Sequence, residues 1–192
     1  MLESKRIVLG VSGGIAAYKV ADLASKLAQT GALVDVIMTA GAQRFVTPLT
    51  FQALTKRPVR TDIYADWLGE DTGHVGLAHN ADLLLVAPAT AHTIARMALG
   101  LSDDLLCAVY LATRAPVLIV PAMESGMYLH QATQEHLETL RRRGAIVMEP
   151  GEGRLASGAS GVGRLPEVPE IPTPAPQLTL PKPMGVPARM WP

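Results

Sequence analysis

Short apolar runs alternate along the chain with amphipathic stretches, and the runs end in glycine, proline or hydroxyl residues. Arg6–Val11 is a β-branched run ending in Ser12-Gly13-Gly14, a first strand and its turn. From Ile15 to Thr30 the apolar positions Val20, Leu23, Ala24 and Leu27 share one helical face, and Gly31 supplies the stop. Leu33–Met38 predicts a second strand, and Ala42–Thr55 a helix interrupted at Pro48. Residues 56–73 read as loop, with a short strand near Val59. Leu83–Ala87 is continuously hydrophobic, as expected of a strand covered on both faces. Helices follow over Thr93–Gly100 and Asp103–Thr113, then a buried strand over Pro116–Val120. Thr133–Arg143 is helical and Ala145–Met148 is the last clear strand.

Strands alternating with helices at this spacing predict an α/β protein with a doubly wound parallel sheet in three αβα layers. Right-handed crossovers bring all strand C-termini to one edge, where such sheets bind ligands. The less ordinary residues fall on that edge: Ser12-Gly13-Gly14, Thr39, Pro88 to Thr93 and Pro121 to Glu124. Residues 1–165 form the predicted single domain. From Pro166 prolines recur to Pro192 with few charges, which predicts a flexible tail over 166–192.

Composition narrows the function classes. Lys and Arg number 17 and Asp and Glu 17, so formal net charge is zero. The one basic run, Arg141-Arg142-Arg143, sits in the last turn of a predicted helix, where it complements the helix dipole. No nucleic-acid partner is expected. Cys107 is the only cysteine and lies in an apolar run, which excludes an internal disulfide and reads as a buried thiol. The N-terminus predicts no signal peptide and no stretch reaches membrane-spanning length, so a cytoplasmic protein with no membrane partner is expected. His130 and His136 lack the i, i+4 spacing of a helical metal pair, and no metal is expected.

Gly10-Val11-Ser12-Gly13-Gly14 departs from G-x-G-x-x-G, and the second strand ends in Met38-Thr39 without the acid that holds a dinucleotide ribose. What remains is a turn whose backbone N–H groups approach an anion at a helix start, with hydroxyls at Ser12 and Thr39. That favours a mononucleotide such as FMN over NAD. Upstream of the Leu83–Ala87 strand, Gly73-His74-Val75 places a histidine in a predicted loop, where it reads as a reacting group beside a cofactor.

Together these motifs resemble the flavin-dependent cysteine decarboxylases, and within them the phosphopantothenoylcysteine decarboxylases of coenzyme A synthesis. The resemblance runs from about Lys5 to Glu167. It rests on Gly10 through Lys19, Met38-Thr39 with Phe45, Thr47-Pro48-Leu49-Thr50, Gly73-His74-Val75, Ala87-Pro88-Ala89-Thr90-Ala91, Asp103-Asp104-Leu105-Leu106 and Pro121-Ala122-Met123. It implies a flavodoxin-like fold, homotrimers that in some members build homododecamers, and FMN at a subunit interface. Carried over residue by residue, Ser12, Gly13, Gly14, Ile15 and Thr39 hold the phosphate region. Phe45 and Thr90-Ala91-His92-Thr93 line the flavin, and Ala122-Met123 contact it from the next strand. His74 is the implied active-site histidine, facing a flavin held partly by a neighbouring subunit. The implied reaction converts 4′-phosphopantothenoyl-L-cysteine to 4′-phosphopantetheine. Oxidation at the thiol gives a thioaldehyde that accepts the electrons left by carbon dioxide; reduction and a protein acid then complete the product.

The chain departs from this pattern at named positions. Glu124 replaces the asparagine that binds the substrate carboxylate, so it turns away, carries a proton, or the substrate differs. In the flap Gly153–Arg164, Ser157 stands where the coenzyme A enzymes carry a proton-donating cysteine, and a hydroxyl is a far poorer acid. Arg154 and Arg164 persist there and suit a phosphate. His92 replaces the asparagine of the flavin-contacting turn. Most bacterial family members continue into a ligase domain; the Pro-rich tail here carries no expectation of that activity, and the sequence reads as a stand-alone decarboxylase or as part of a longer protein. Two other functions remain open: oxidative decarboxylation of a peptide's C-terminal cysteine to an ene-thiol, and a non-decarboxylating FMN-binding or regulatory subunit.

Overall fold

The computed structural model describes residues 2–65 and 73–171; the Pro-rich tail from 172 to 192 lies outside the described residues. Its main sheet contains β1 (Arg6–Val11), β2 (Leu33–Met38), β3 (Val59–Arg60), β4 (Leu83–Ala89), β5 (Val117–Pro121) and β6 (Ile146–Val147). They are parallel throughout and ordered β3-β2-β1-β4-β5-β6. The chain winds outward from β1 in one direction and then, through β4, in the other. The strand order therefore reverses between β1 and β4, where α/β sheets open a crevice.

Period-two side-chain alternation splits the core into two. Ile7, Leu9, Val11, Val34, Val36, Leu83, Leu85, Leu118 and Val120 face α1 (Ala17–Gln29) and α2 (Pro48–Thr55). Val8, Ile37, Leu84, Val86 and Ile119 face α3 (His74–Asn80), α4 (Ala91–Leu99), α5 (Leu105–Ala112) and α7 (Gln131–Arg142). Each such aliphatic side chain contributes roughly 1.5–3 kcal/mol on burial, whereas an exposed ion pair contributes about 0–1 kcal/mol. Hydrophobic burial therefore sets the three layers. Among the described residues one charged side chain is buried with them: Asp35 accepts from Arg57 Nε at 2.8 Å and lies 2.7 Å from its Nη2.

The structure departs from the sequence expectation in four places. His74, expected in a loop, instead begins α3, which seats Leu77 and Ala78 in the core. Its internal Gly76 weakens the local helix signal, and packing overrides it. A five-residue helix, α6 (Ser125–Leu129), is too short to show periodicity. An antiparallel hairpin, β7 (Gly151–Arg154) and β8 (Ser160–Arg164), follows β6; its glycines hide it from strand propensity. Packing also continues past Leu165: Val168 packs against the core and Ile171 is buried in it, around a 3₁₀ turn over Val168–Glu170.

Candidate active site

Ser12 ends β1 with its side chain fully buried at the point of strand reversal. Its hydroxyl donates to the Pro88 carbonyl at 2.6 Å and accepts from the Thr90 backbone N–H at 3.0 Å. It thus ties the end of β1 to the end of β4. Thr90 caps α4, its Oγ1 accepting from Thr93 N at 3.4 Å and donating to Thr93 Oγ1 at 3.2 Å. Thr93 is buried. The strand ends at the reversal point are therefore tied together by a hydroxyl network, and Thr90 is its outermost member.

Beside it, the first turn meets the turn after β2 as bare backbone. A Cβ on Gly13 would lie 2.7 Å from the Gly41 carbonyl carbon, so a side chain there requires the two turns to part. Thr39 shapes the second turn, its Oγ1 accepting from Ala42 N at 3.3 Å.

A cavity of about 710 Å³ opens over these turns. Gly13, Gly14 and Ile15 form one wall, Thr90 and His92 a second, and Ala122, Met123 and Glu124 a third. The β7–β8 hairpin covers it with Arg154, Ser157 and Arg164. Thus eleven of the residues singled out in the sequence line one cavity, although they are scattered from Gly13 to Arg164. Lys19, Tyr18 and Met127 also line it and were missed. The signal for Lys19 was present: it lies in the first turn of α1, just after the glycine turn, and falls off the helix's apolar face.

Other expected site residues lie elsewhere. Ser12 is turned inward as described, Thr39 and half-exposed Phe45 lie outside the cavity lining, and Ala91 and Thr93 lie behind Thr90. His74 is partly buried at the first position of α3 and is not among the lining residues of this chain's own cavity.

Glu124 adopts a specific arrangement. It is the N-cap of α6, its Oε2 accepting from Gly126 N at 2.6 Å and Met127 N at 3.3 Å. The carboxylate is thus turned onto its own helix start. The hairpin is pinned to the same loop, because Met123 N donates to the Gly163 carbonyl at 2.9 Å and Ser125 Oγ to the Val162 carbonyl at 2.6 Å. Gly163 has φ 133° and a Cβ there would strike the Met123 carbonyl, so both the conformation and the approach require glycine. Lys19, Arg154 and Arg164 outnumber the single lining carboxylate, and the cavity favours an anion.

Cys107 does not take part. It is fully buried, and burial, followed by the nearby Asp104 carboxylate, pushes its thiol up to about 12. Among the described residues no cluster of His, Cys, Asp and Glu is arranged to hold a metal, and no helix is long and apolar enough to cross a membrane.

A doubly wound flavodoxin-like sheet whose reversal point opens into a cation-rimmed, flap-covered cavity defines a ligand-binding α/β protein. Residues 1–174 match the model of the family described as Flavoprotein, and the chain belongs to that family. It is 52% identical over 169 residues to the coenzyme A biosynthesis bifunctional protein CoaBC of Mycobacterium tuberculosis, covering 88% of this chain and 40% of that protein. Against the CoaBC of Vibrio cholerae the identity is 51% over 170 residues, covering 88% and 43%. The chain thus spans about two fifths of the length of these curated relatives. A solved PPC decarboxylase variant complexed with pantothenoylaminoethenethiol superposes with a TM-score of 0.78 at 30% identity, covering 87% of this chain and 93% of that one. The FMN-dependent cysteine decarboxylase SpaF gives 0.75 at 32% identity, covering 85% and 91%.

Proposed function

We propose that this chain binds FMN and decarboxylates 4′-phosphopantothenoyl-L-cysteine to 4′-phosphopantetheine. The observation that carries the reading is the single cavity uniting the glycine turn, Thr90, Ala122-Met123 and an arginine-bearing flap. The names of the similar proteins support it: CoaBC for the pathway, PPC decarboxylase and FMN-dependent cysteine decarboxylase for the chemistry. The residues present fit FMN. The bare Gly13–Gly41 contact leaves backbone to approach a phosphate, and Ile15, Ala122, Met123 and Met127 give an apolar wall for a flat ring.

When bound, FMN supplies a two-electron acceptor that makes the cysteine end of the substrate an electron sink for decarboxylation. Arg154 and Arg164 bind the anionic substrate under the flap. Glu124, occupied with the N–H groups of α6, does not oppose the substrate carboxylate. Ser157 is exposed in the hairpin turn, and in this reading it takes the proton-donor position. His74 acts as base or orienting group, a role that contributes roughly 10²–10⁴-fold. Its place outside its own chain's cavity supports a homo-oligomer, in trimers or multiples of them, in which it serves a neighbour's flavin. A cytoplasmic location accords with a free-thiol substrate.

The test is absorbance of the purified protein and mass spectrometry of its product. A yellow protein that releases carbon dioxide and forms phosphopantetheine is expected. A product two hydrogens lighter, the ene-thiol, indicates that reaction stops for want of a proton donor at Ser157, as in the peptide-modifying reading. A protein that takes up no FMN overturns both.

A further inference from the structure

One carboxylate outside the cavity is held by two cations that line it. Glu167 Oε1 lies 3.4 Å from Lys19 Nζ and 3.1 Å from Arg164 Nη2. Lys19 belongs to α1, Arg164 ends β8, and Glu167 opens the 3₁₀ turn, so one oxygen joins three segments at the cavity mouth. The Arg164 guanidinium also lies over Gly153, where a Cβ would sit 2.7 Å from Nη1, so the bare glycine leaves it room.

Exposure separates the partners. The Lys19 and Arg164 side chains are 27% and 35% exposed, whereas that of Glu167 is 61% exposed. The cations are thus set into the wall and the carboxylate is the water-facing member. Exposed pairs of this kind are weak and exchangeable. A phosphate monoester carries more charge and three acceptor oxygens, and answers a lysine and an arginine together better than one carboxylate oxygen.

We propose that Glu167 is an internal stand-in for a phosphate monoester, and that a ligand's phosphate takes Lys19 and Arg164 from it on binding. This rests on the reading of the cavity as a site for phosphorylated ligands. Glu167 then acts as a selectivity element. A ligand without the phosphate gains nothing from the two cations, which stay with Glu167. The phosphate belongs to the substrate or to the flavin, and the two are separable by experiment.

The experiment uses the FMN-loaded chain, titrated calorimetrically with 4′-phosphopantetheine and with pantetheine. Glu167→Gln keeps the shape and a carbonyl oxygen but removes the competing charge. It is expected to tighten 4′-phosphopantetheine about two- to fivefold, from the usual strength of an exposed pair, and to leave pantetheine unchanged. Lys19→Gln is expected to weaken the phosphorylated ligand alone, and gives a second reading if the first variant folds poorly. If the flavin's phosphate is the occupant, Glu167→Gln instead slows FMN release on dilution, followed by flavin fluorescence, and phosphopantetheine affinity is unmoved. Equal shifts for both pantetheine forms, or no shift in either arm, overturn the proposal. Affinities are read without turnover, so an inactive protein with a phosphate-selective shift sinks only the decarboxylase reading, and an active one without it sinks only the stand-in.

Discussion

At Ser12 the hydroxyl that sequence logic aims at a ligand is instead buried between two strand ends. Ser12→Ala removes the acceptor for the Thr90 N–H and the Pro88 carbonyl's shorter bond, and is expected to cost about 1–3 kcal/mol in chemical denaturation. A residue-level motif names the hydroxyl but not the direction of its bond, which depends on β4 arriving beside β1. The same limit applied to Glu124. Its sequence position set carboxylate against carboxylate, and only α6 revealed backbone N–H groups for it to accept from. Ser157→Cys is expected to raise the yield of phosphopantetheine over the ene-thiol, read by product mass, with no effect on carbon dioxide release. Cys107 was legible outright as a buried thiol. Because the fold raises its pKa from 9.0 to about 12, the protonated thiol favours the folded state. That contribution is complete below about pH 9 and declines as pH rises toward about 12. Burial raises Tyr110 and, with a hydrogen bond to Glu149, Tyr128 in the same direction. Denaturation midpoints should fall above about pH 9, and less steeply in Cys107→Ala.

Among the elements, the β7–β8 hairpin shows what periodicity cannot deliver. Gly-Glu-Gly-Arg and Ser-Gly-Val-Gly-Arg have almost no β-branched residues, because the hairpin is held by close backbone approach to the loop after β5 rather than by a buried side-chain row. The β1, β2, β4 and β5 runs were legible because both of their faces are covered, which leaves a nearly continuous apolar signature, interrupted in β2 by Asp35. Gly163→Ala tests the hairpin's attachment. The added methyl must displace the Met123 carbonyl and adopt a strained backbone, at roughly 1–3 kcal/mol. Since the flap covers the cavity, the expected result is faster proteolysis within 151–164 and weaker substrate binding. The parallel sheet's own unfolding midpoint should shift little.

At the scale of the whole molecule, His74 is not among the residues lining its own chain's cavity, yet the proposed chemistry needs the two together. Exposed Ile15, Tyr18, Phe45, Leu49 and Met127 give the surface apolar area that a second copy can cover. Ile15, Tyr18 and Met127 belong to the cavity itself, so in the proposed homo-oligomer assembly and site completion would use the same surface. If a neighbour supplies His74, two individually inactive variants should restore each other. One is His74→Asn, with an intact cavity; the other has a charge-reversed flap, Arg154→Glu with Arg164→Glu, and an intact histidine. In a randomly reassembled equal mixture, a site is whole only when the histidine comes from the flap variant and the cavity from the histidine variant. Each condition is met half the time, so about a quarter of wild-type decarboxylation should return in a symmetric oligomer. Mixing without dissociation should return none, which separates subunit sharing from simple rescue in solution. If reassembled mixtures stay inactive while remaining folded and FMN-loaded, the sharing of His74 between subunits is overturned.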